Sequence, residues 1–211
     1  MTMDTKVLII ENQWSEFEKI CETLSSNCYN VLLDENVSWS SLSKDADKEG
    51  KFISLATRIR IWVDKDHGYV QTYRDMAFEL IHKLAEQANI IIIDHILGGS
   101  YSCLTGIDLA KELVEKISFQ EMPPVLFVSK TEHTEKKRLD AYDEYMKFIV
   151  KQNIDVNAHT KWVHKGYFGD EILQPEYIKK YVIEEGIEEL LNNQQNQQSS
   201  ISAIPLEESI K

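Results

Sequence analysis

The feature that most constrains this fold is a run of four consecutive isoleucines, Ile90–Ile93, that ends on the carboxylate of Asp94. A short β-branched run bounded by polar residues is typical of a strand buried on both faces, and such strands occur in parallel sheets covered by helices. In these sheets, ligands bind beyond the carboxyl ends of the strands, where the strand order reverses. Asp94 stands at that end of its strand, so the run also indicates where the chemistry would be.

Three further hydrophobic runs end on polar side chains in the same way: residues 6–10 before Glu11 and Asn12, 124–128 before Ser129, and 160–164 before Lys165. Each of them is followed by a helical pattern. If the strands are parallel, their carboxyl ends lie at one edge of the sheet. That edge would bring together carboxylates, a hydroxyl and an ammonium.

This ordered set of residues resembles the receiver domain of two-component response regulators, over most of residues 5–192. In that family, an acidic pair after the first strand holds Mg²⁺, and an Asp after the third strand accepts a phosphoryl group. A Ser or Thr after the fourth strand and a Lys after the fifth contact that group. The resemblance therefore implies that Asp94 is the phosphoacceptor and that Ser129 and Lys165 contact the phosphoryl group.

The same resemblance implies a Mg²⁺ site formed by Glu11, Asn12, Asp94 and the backbone carbonyl of Ile96. The donors suit the ion, because Mg²⁺ prefers oxygen ligands and usually takes one or two carboxylates with waters and phosphate oxygens. Asn12 departs from the family, which usually has an acid there. An amide oxygen brings no negative charge, so we expect weaker Mg²⁺ binding.

Helical periodicity separates the strands. Apolar stripes predict helices at 15–24, 73–87, 107–117 and 139–149, a last helix begun by Pro175, and a second strand at Tyr29–Leu33. Ser15 and Glu18 have the spacing of a capping box at the start of the first helix. The alternation predicts an α/β fold, a doubly wound five-stranded parallel sheet with the flavodoxin-like (CheY-like) order 2-1-3-4-5.

The segment between the first and third strands is longer than this fold requires. Ordinary elements account for about 40–45 residues of it, which leaves roughly 30–35 extra, placed at residues 36–70. Alternation in Ile59–Val63, a turn, and Tyr69–Thr72 predict a β-hairpin insertion. In the alternative, Arg58–Val63 is the true second strand and residues 34–56 form a loop. The sequence does not decide between them, and the insertion's role as partner surface or decoration stays open.

Composition limits the partners. The net charge of −12 over 211 residues argues against nucleic acid. No apolar stretch has membrane-spanning length and the N-terminus lacks a signal-peptide layout, so no membrane partner is expected. Three scattered cysteines favour a reducing, cytoplasmic location. The polar tract after Leu191 predicts a disordered tail at 193–211, after a receiver-like domain at 1–192.

The expected function is a signalling receiver that accepts a phosphoryl group on Asp94 and switches conformation. Its catalysis would be limited to its own phosphorylation. The expected partners are a sensor histidine kinase or phosphotransfer protein and a downstream protein target, and a homodimer is left open. The alternatives are a degenerate receiver that binds partners without phosphorylation, and a small metal-dependent hydrolase. The hydrolase would use His95, His133 and His164 with Asp94 and Glu11 as ligands of a transition metal.

Overall fold

The computed structural model describes residues 5–11, 13–34, 37–39, 71–95, 97, 106–117, 121–129, 135–164 and 174–202, and the isolated positions 44 and 47. The strands within these segments are β1 Lys6–Ile10, β2 Asn30–Asp34, β3 Val37–Ser38, β4 Ile90–Asp94, β5 Val125–Ser129 and β6 Thr160–His164. The helices are α1 Trp14–Ser26, α2 Gln71–Ala85, α3 Gly106–Lys116, α4 Glu135–Lys151, α5 Val156–His159, α6 Pro175–Tyr177, a π-helical segment Ile178–Glu188, and α7 Glu189–Ser202.

The strands form one sheet in the order β3-β2-β1-β4-β5-β6. Five of them are parallel, and the short β3 pairs antiparallel with β2 at the edge. Without β3 the order is 2-1-3-4-5, so the predicted flavodoxin-like α/β sheet is confirmed. The second parallel strand is Asn30–Asp34. The alternative that gave this place to Arg58–Val63 is therefore wrong. The predicted hairpin at 59–72 lies outside the described residues except for Gln71 and Thr72, which belong to α2 and not to a strand as predicted.

Both faces of the sheet are covered, as the isoleucine run predicted. Ile91 and Ile93 face α2, α3 and α4, whereas Ile90 and Ile92 face α1 and the π-helical segment. All four isoleucines have 0% exposure. A strand between two helical layers has no solvent side, which is why its sequence shows no polar alternation.

The first helix begins earlier than its sequence suggested. Gln13 is the N-cap and makes no side-chain capping bond, so the predicted capping box at Ser15 is wrong. The carbonyl of Gln13 accepts hydrogen bonds from the amides of Glu16 and Phe17 at 3.2 and 3.0 Å. These backbone bonds place Ser15 inside the first turn, so Ser15 is not the N-cap. The predicted start of the last helix is confirmed, with Pro175 in its first turn.

The last helix extends across the predicted domain boundary. The sequence predicted a disordered tail at 193–211, but α7 continues to Ser202, and residues 203–211 of that tail lie outside the described residues. Leu190 is buried, and Asn193 Nδ2 donates to the carbonyl of Asn157 at 2.9 Å. A helix already begun gains one hydrogen bond for each residue added, so polar residues extend it at little cost. Within the described segments, each helix is too short or too polar to span a membrane.

Candidate functional site

Three of the predicted site residues meet at the carboxyl end of the sheet. Ile10 of β1 is in register with Ile93 of β4, so Glu11, the residue after β1, comes beside Asp94. Asp94 is in register with Val128 of β5, which Ser129 follows. The three side chains are nearly inaccessible, with exposures of 1% for Glu11, 3% for Asp94 and 0% for Ser129. The structure thus places two carboxylates and a hydroxyl at the carboxyl ends of three adjacent strands.

The other predicted site residues, Asn12, Ile96 and Lys165, lie outside the described residues. Their roles at the site stay predictions. The backbone leading to Lys165 is described, since His164 at the end of β6 is in register with Ser129. The chain therefore reaches the carboxyl edge of the sheet one residue before Lys165.

A local hydrogen bond fixes the orientation of the Glu11 carboxylate. Its Oε1 accepts a hydrogen bond from the backbone N–H of Gln13 at 2.9 Å. Gln13 in turn is the N-cap of α1. The carboxylate is thereby attached to the turn between β1 and α1, and the position of that turn sets where one predicted metal ligand lies.

The backbone at the end of β4 lies against the start of α3. The amide of His95 donates to the carbonyl of Val128 at 2.9 Å, and the amide of Gly106 donates to the carbonyl of His95 at 3.1 Å. A Cβ atom on Gly106 would lie 2.2 Å from the Asp94 carbonyl oxygen and 2.6 Å from Ile93 Cγ2. Only glycine allows the helix to begin this close to the strand end.

The donor set fits Mg²⁺. Glu11 and Asp94 would supply carboxylate oxygens from the ends of neighbouring strands, and one or two carboxylates are the usual protein contribution to a Mg²⁺ site. No group of three or more His, Cys, Asp or Glu that could hold a metal occurs within the part of the chain that the structure describes. His133 falls outside that part. His95 is buried beside Asp94, and the hydrolase site that would use these histidines stays a prediction.

The structure also shows two groups that the sequence did not reveal. The first is an aromatic cluster of Trp14, Phe17 and Trp39. Two of its members belong to the first turn of α1, which follows Glu11 closely in the chain. No local pattern indicates the cluster, because Trp39 comes from beyond β2. Trp39 is close to Trp14 and Phe17 in space but distant from them along the chain.

The second group is a buried pair at the opposite end of the sheet. The Tyr145 hydroxyl lies 3.3 Å from His159 Nε2, next to the first residue of β6. Burial lowers the pKa of His159 to about 4 and raises the pKa of Tyr145 well above its usual 10. His159 is therefore neutral at physiological pH, which is the state in which an imidazole nitrogen can accept the tyrosine proton.

The sequence matches no protein-family profile, and a search of curated proteins found no significant match. No relative therefore transfers a function to this chain. What supports a function is the sheet topology together with the residues at the strand ends.

Proposed function

We propose that this chain is a signalling receiver module that accepts a phosphoryl group on Asp94, with Mg²⁺ held between Glu11 and Asp94. One observation carries the proposal. The strand order reverses between β1 and β4, and the two buried carboxylates stand at the carboxyl ends of those two strands. Ligands of doubly wound sheets bind in the crevice at this reversal point. Ser129 borders the same crevice from the next strand.

The proposed reaction needs few protein groups. A carboxylate oxygen of Asp94 forms a bond to phosphorus, and the bond between phosphorus and the donor, a phosphohistidine nitrogen, breaks. Mg²⁺, when bound, would supply positive charge for the phosphoryl oxygens. Glu11 would hold the ion, the Ser129 hydroxyl would donate to a phosphoryl oxygen, and Lys165 would neutralise another. Catalysis of this kind is positioning and charge compensation, and no further nucleophile or base is required.

Burial adds a condition to this proposal. Asp94 is only 3% exposed, so a phosphoryl donor reaches it only after the surrounding groups move. Once attached, the phosphoryl group brings about two negative charges and three acceptor oxygens into a closed site. The Ser129 hydroxyl and the backbone after it would respond to these acceptors. The proposed output is this rearrangement, transmitted through the helix that follows β5.

The proposed partners are a histidine kinase or phosphotransfer protein that supplies the phosphoryl group, and a protein that recognises the rearranged surface. The acidic composition supports protein rather than nucleic-acid partners. A cytosolic location is part of the proposal. It is supported by Cys21 and Cys28, which are both free thiols.

The test is intact-mass analysis after incubation with acetyl phosphate and Mg²⁺. We expect the mass to increase by that of one phosphoryl group, and chelation of Mg²⁺ to prevent the increase. Asp94→Asn should abolish it, whereas Asp140→Asn, at an exposed position on α4, should not. An unchanged mass in the wild type, together with no binding of a beryllofluoride mimic, would refute phosphoryl acceptance.

The second candidate is a degenerate receiver that binds its partner without phosphorylation. It is favoured by the amide at Asn12, where the family has an acid, and by the burial of Asp94. The Asn12→Asp variant separates the two candidates. If the wild type stays unmodified and Asn12→Asp gains a phosphoryl group at Asp94, the fold is receiver-like but the natural site is degenerate.

A further inference from the structure

The segment that follows β2 folds back along the edge of the sheet as β3, and the side chain of Trp39 anchors it there. β3 pairs antiparallel with β2, with Ser38 opposite Leu32 and Val37 opposite Asp34. Trp39 is the next residue, and it is 3% exposed. Its indole packs in the core on the α1 side of the sheet. The beginning of the predicted insertion is thus fixed to the body of the protein.

Trp39 is held by the first turn of α1. Its ring centroid lies 6.2 Å from that of Trp14 and 6.0 Å from that of Phe17, and the ring of Phe17 meets it edge-on at 78°. The ring centroids of Trp14 and Phe17 are 6.1 Å apart. Aromatic rings at these separations and tilts attract one another beyond the effect of area burial. Each ring therefore restricts the position of the other two.

The aromatic cluster is connected to Glu11 by two hydrogen bonds, one between backbone groups and one from a backbone amide to the Glu11 carboxylate. The amide of Phe17 donates to the carbonyl of Gln13 at 3.0 Å, and the amide of Gln13 donates to Glu11 Oε1 at 2.9 Å. Trp14 follows Gln13 directly. A displacement of Trp39 would shift the first turn of α1, and the Gln13 amide would then lose its alignment with the carboxylate.

We propose that docking of Trp39 in the aromatic cluster and Mg²⁺ binding at Glu11 are energetically coupled. Trp39 is a positioning residue for Glu11. Displacement of Trp39 from the cluster weakens Mg²⁺ binding, and by reciprocity Mg²⁺ strengthens the docking of Trp39. This inference rests on the proposed function, since it requires Mg²⁺ at Glu11.

A purely structural role gives a different result. If the cluster only fills the core, changing Trp39 lowers stability but leaves the Mg²⁺ affinity of the folded molecules unchanged. Leu24 supplies the control, because it is fully buried in the same core and on the same helix, farther along the chain from Glu11. Leu24→Ala should destabilise the protein without changing the first turn of α1.

The experiment is calorimetric titration of the full chain with Mg²⁺, for the wild type, Trp39→Phe, Trp39→Ala and Leu24→Ala. Coupling between sites is commonly fivefold or more, so we expect the Kd to rise at least about fivefold in Trp39→Ala. The rise should be smaller in Trp39→Phe, which keeps an aromatic ring, and absent in Leu24→Ala. Equal affinities in all four proteins would overturn the coupling and leave the receiver proposal intact.

A second readout does not need the alanine variant to fold. In protein labelled with 5-fluorotryptophan, the fluorine resonance of Trp39 is identified by its loss in Trp39→Phe. Mg²⁺ should shift this resonance and leave that of Trp162, on β6, in place. An unshifted Trp39 resonance in protein that binds Mg²⁺ would overturn the inference alone, whereas a wild type that binds no Mg²⁺ would overturn both proposals.

Discussion

Replacing Gly106 with alanine should damage the fold and the candidate site together. The new Cβ would lie 2.2 Å from the carbonyl oxygen of Asp94, whereas real Cβ atoms essentially never approach within 3.0 Å of another heavy atom. The oxygen belongs to the backbone of β4, which is hydrogen-bonded to β1 on one side and β5 on the other. The strand cannot give way locally, so α3 must move outward or the end of β4 must bend.

The magnitude follows from two opposing contributions. Alanine is the better helix former by about 1 kcal/mol, although less at a helix end. Overpacking a close contact costs typically about 1–3 kcal/mol, and more where backbone must shift. Because backbone must shift here, we expect a net loss of about 2–3 kcal/mol in the free energy of unfolding. For a domain of this size, that corresponds to a fall in Tm of about 4–12 °C.

Gly186→Ala is the matched control. A Cβ there would lie 2.7 Å from Leu126 Cδ2, which is the end of a flexible side chain and can change rotamer. We expect a loss below about 1 kcal/mol, since helix propensity offsets part of the contact. Urea unfolding followed by circular dichroism measures both variants. A Gly106→Ala protein as stable as the wild type, or a larger loss for Gly186→Ala, would refute the reasoning.

Three further outcomes are expected. Asn12→Asp should tighten Mg²⁺ binding, measured by titration calorimetry, and lower stability without metal, because carboxylates packed together repel. The free energy of unfolding should decrease by roughly 3 kcal/mol as the pH falls from 6.5 to about 4, because His159 binds a proton at a higher pH in the unfolded chain than in the folded protein. Urea unfolding of His159→Gln should lack this pH-dependent contribution. Lys161→Met removes the ion pair with Glu189 and should cost less than about 1 kcal/mol in the same assay, because both side chains are partly exposed.

The sheet was predictable because its central strand leaves few choices. Ile90–Ile93 cannot face water, so helices must cover both sides, and parallel strands joined by helices follow. The register then brings Glu11, Asp94 and Ser129 to one edge without further assumption. These three placements could be predicted since they depend only on where each strand ends. The place of Lys165 beside Asp94 remains a prediction.

What the sequence did not predict depends on contacts between distant segments or on backbone geometry. The start of α1 is set by the carbonyl of Gln13, which any residue could supply, so Ser15 gave a misleading signal. The tract after residue 193 is helical because it continues an anchored helix. Trp39 reaches α1 from beyond β2. The reason for glycine at position 106 is visible only when α3 and β4 are placed together.

The short strand β3 has a consequence for the behaviour of the protein in a crowded solution. The outer edge of a terminal strand exposes unpaired N–H and C=O groups, and other chains can add to it as further strands. β3 pairs with Leu32 and Asp34 at that edge of β2, and it shifts register between them. A two-residue strand with an irregular register contributes little to folding, but it blocks the edge against intermolecular pairing. Deleting Val37–Trp39 should therefore promote aggregation of the native protein even where the fold survives.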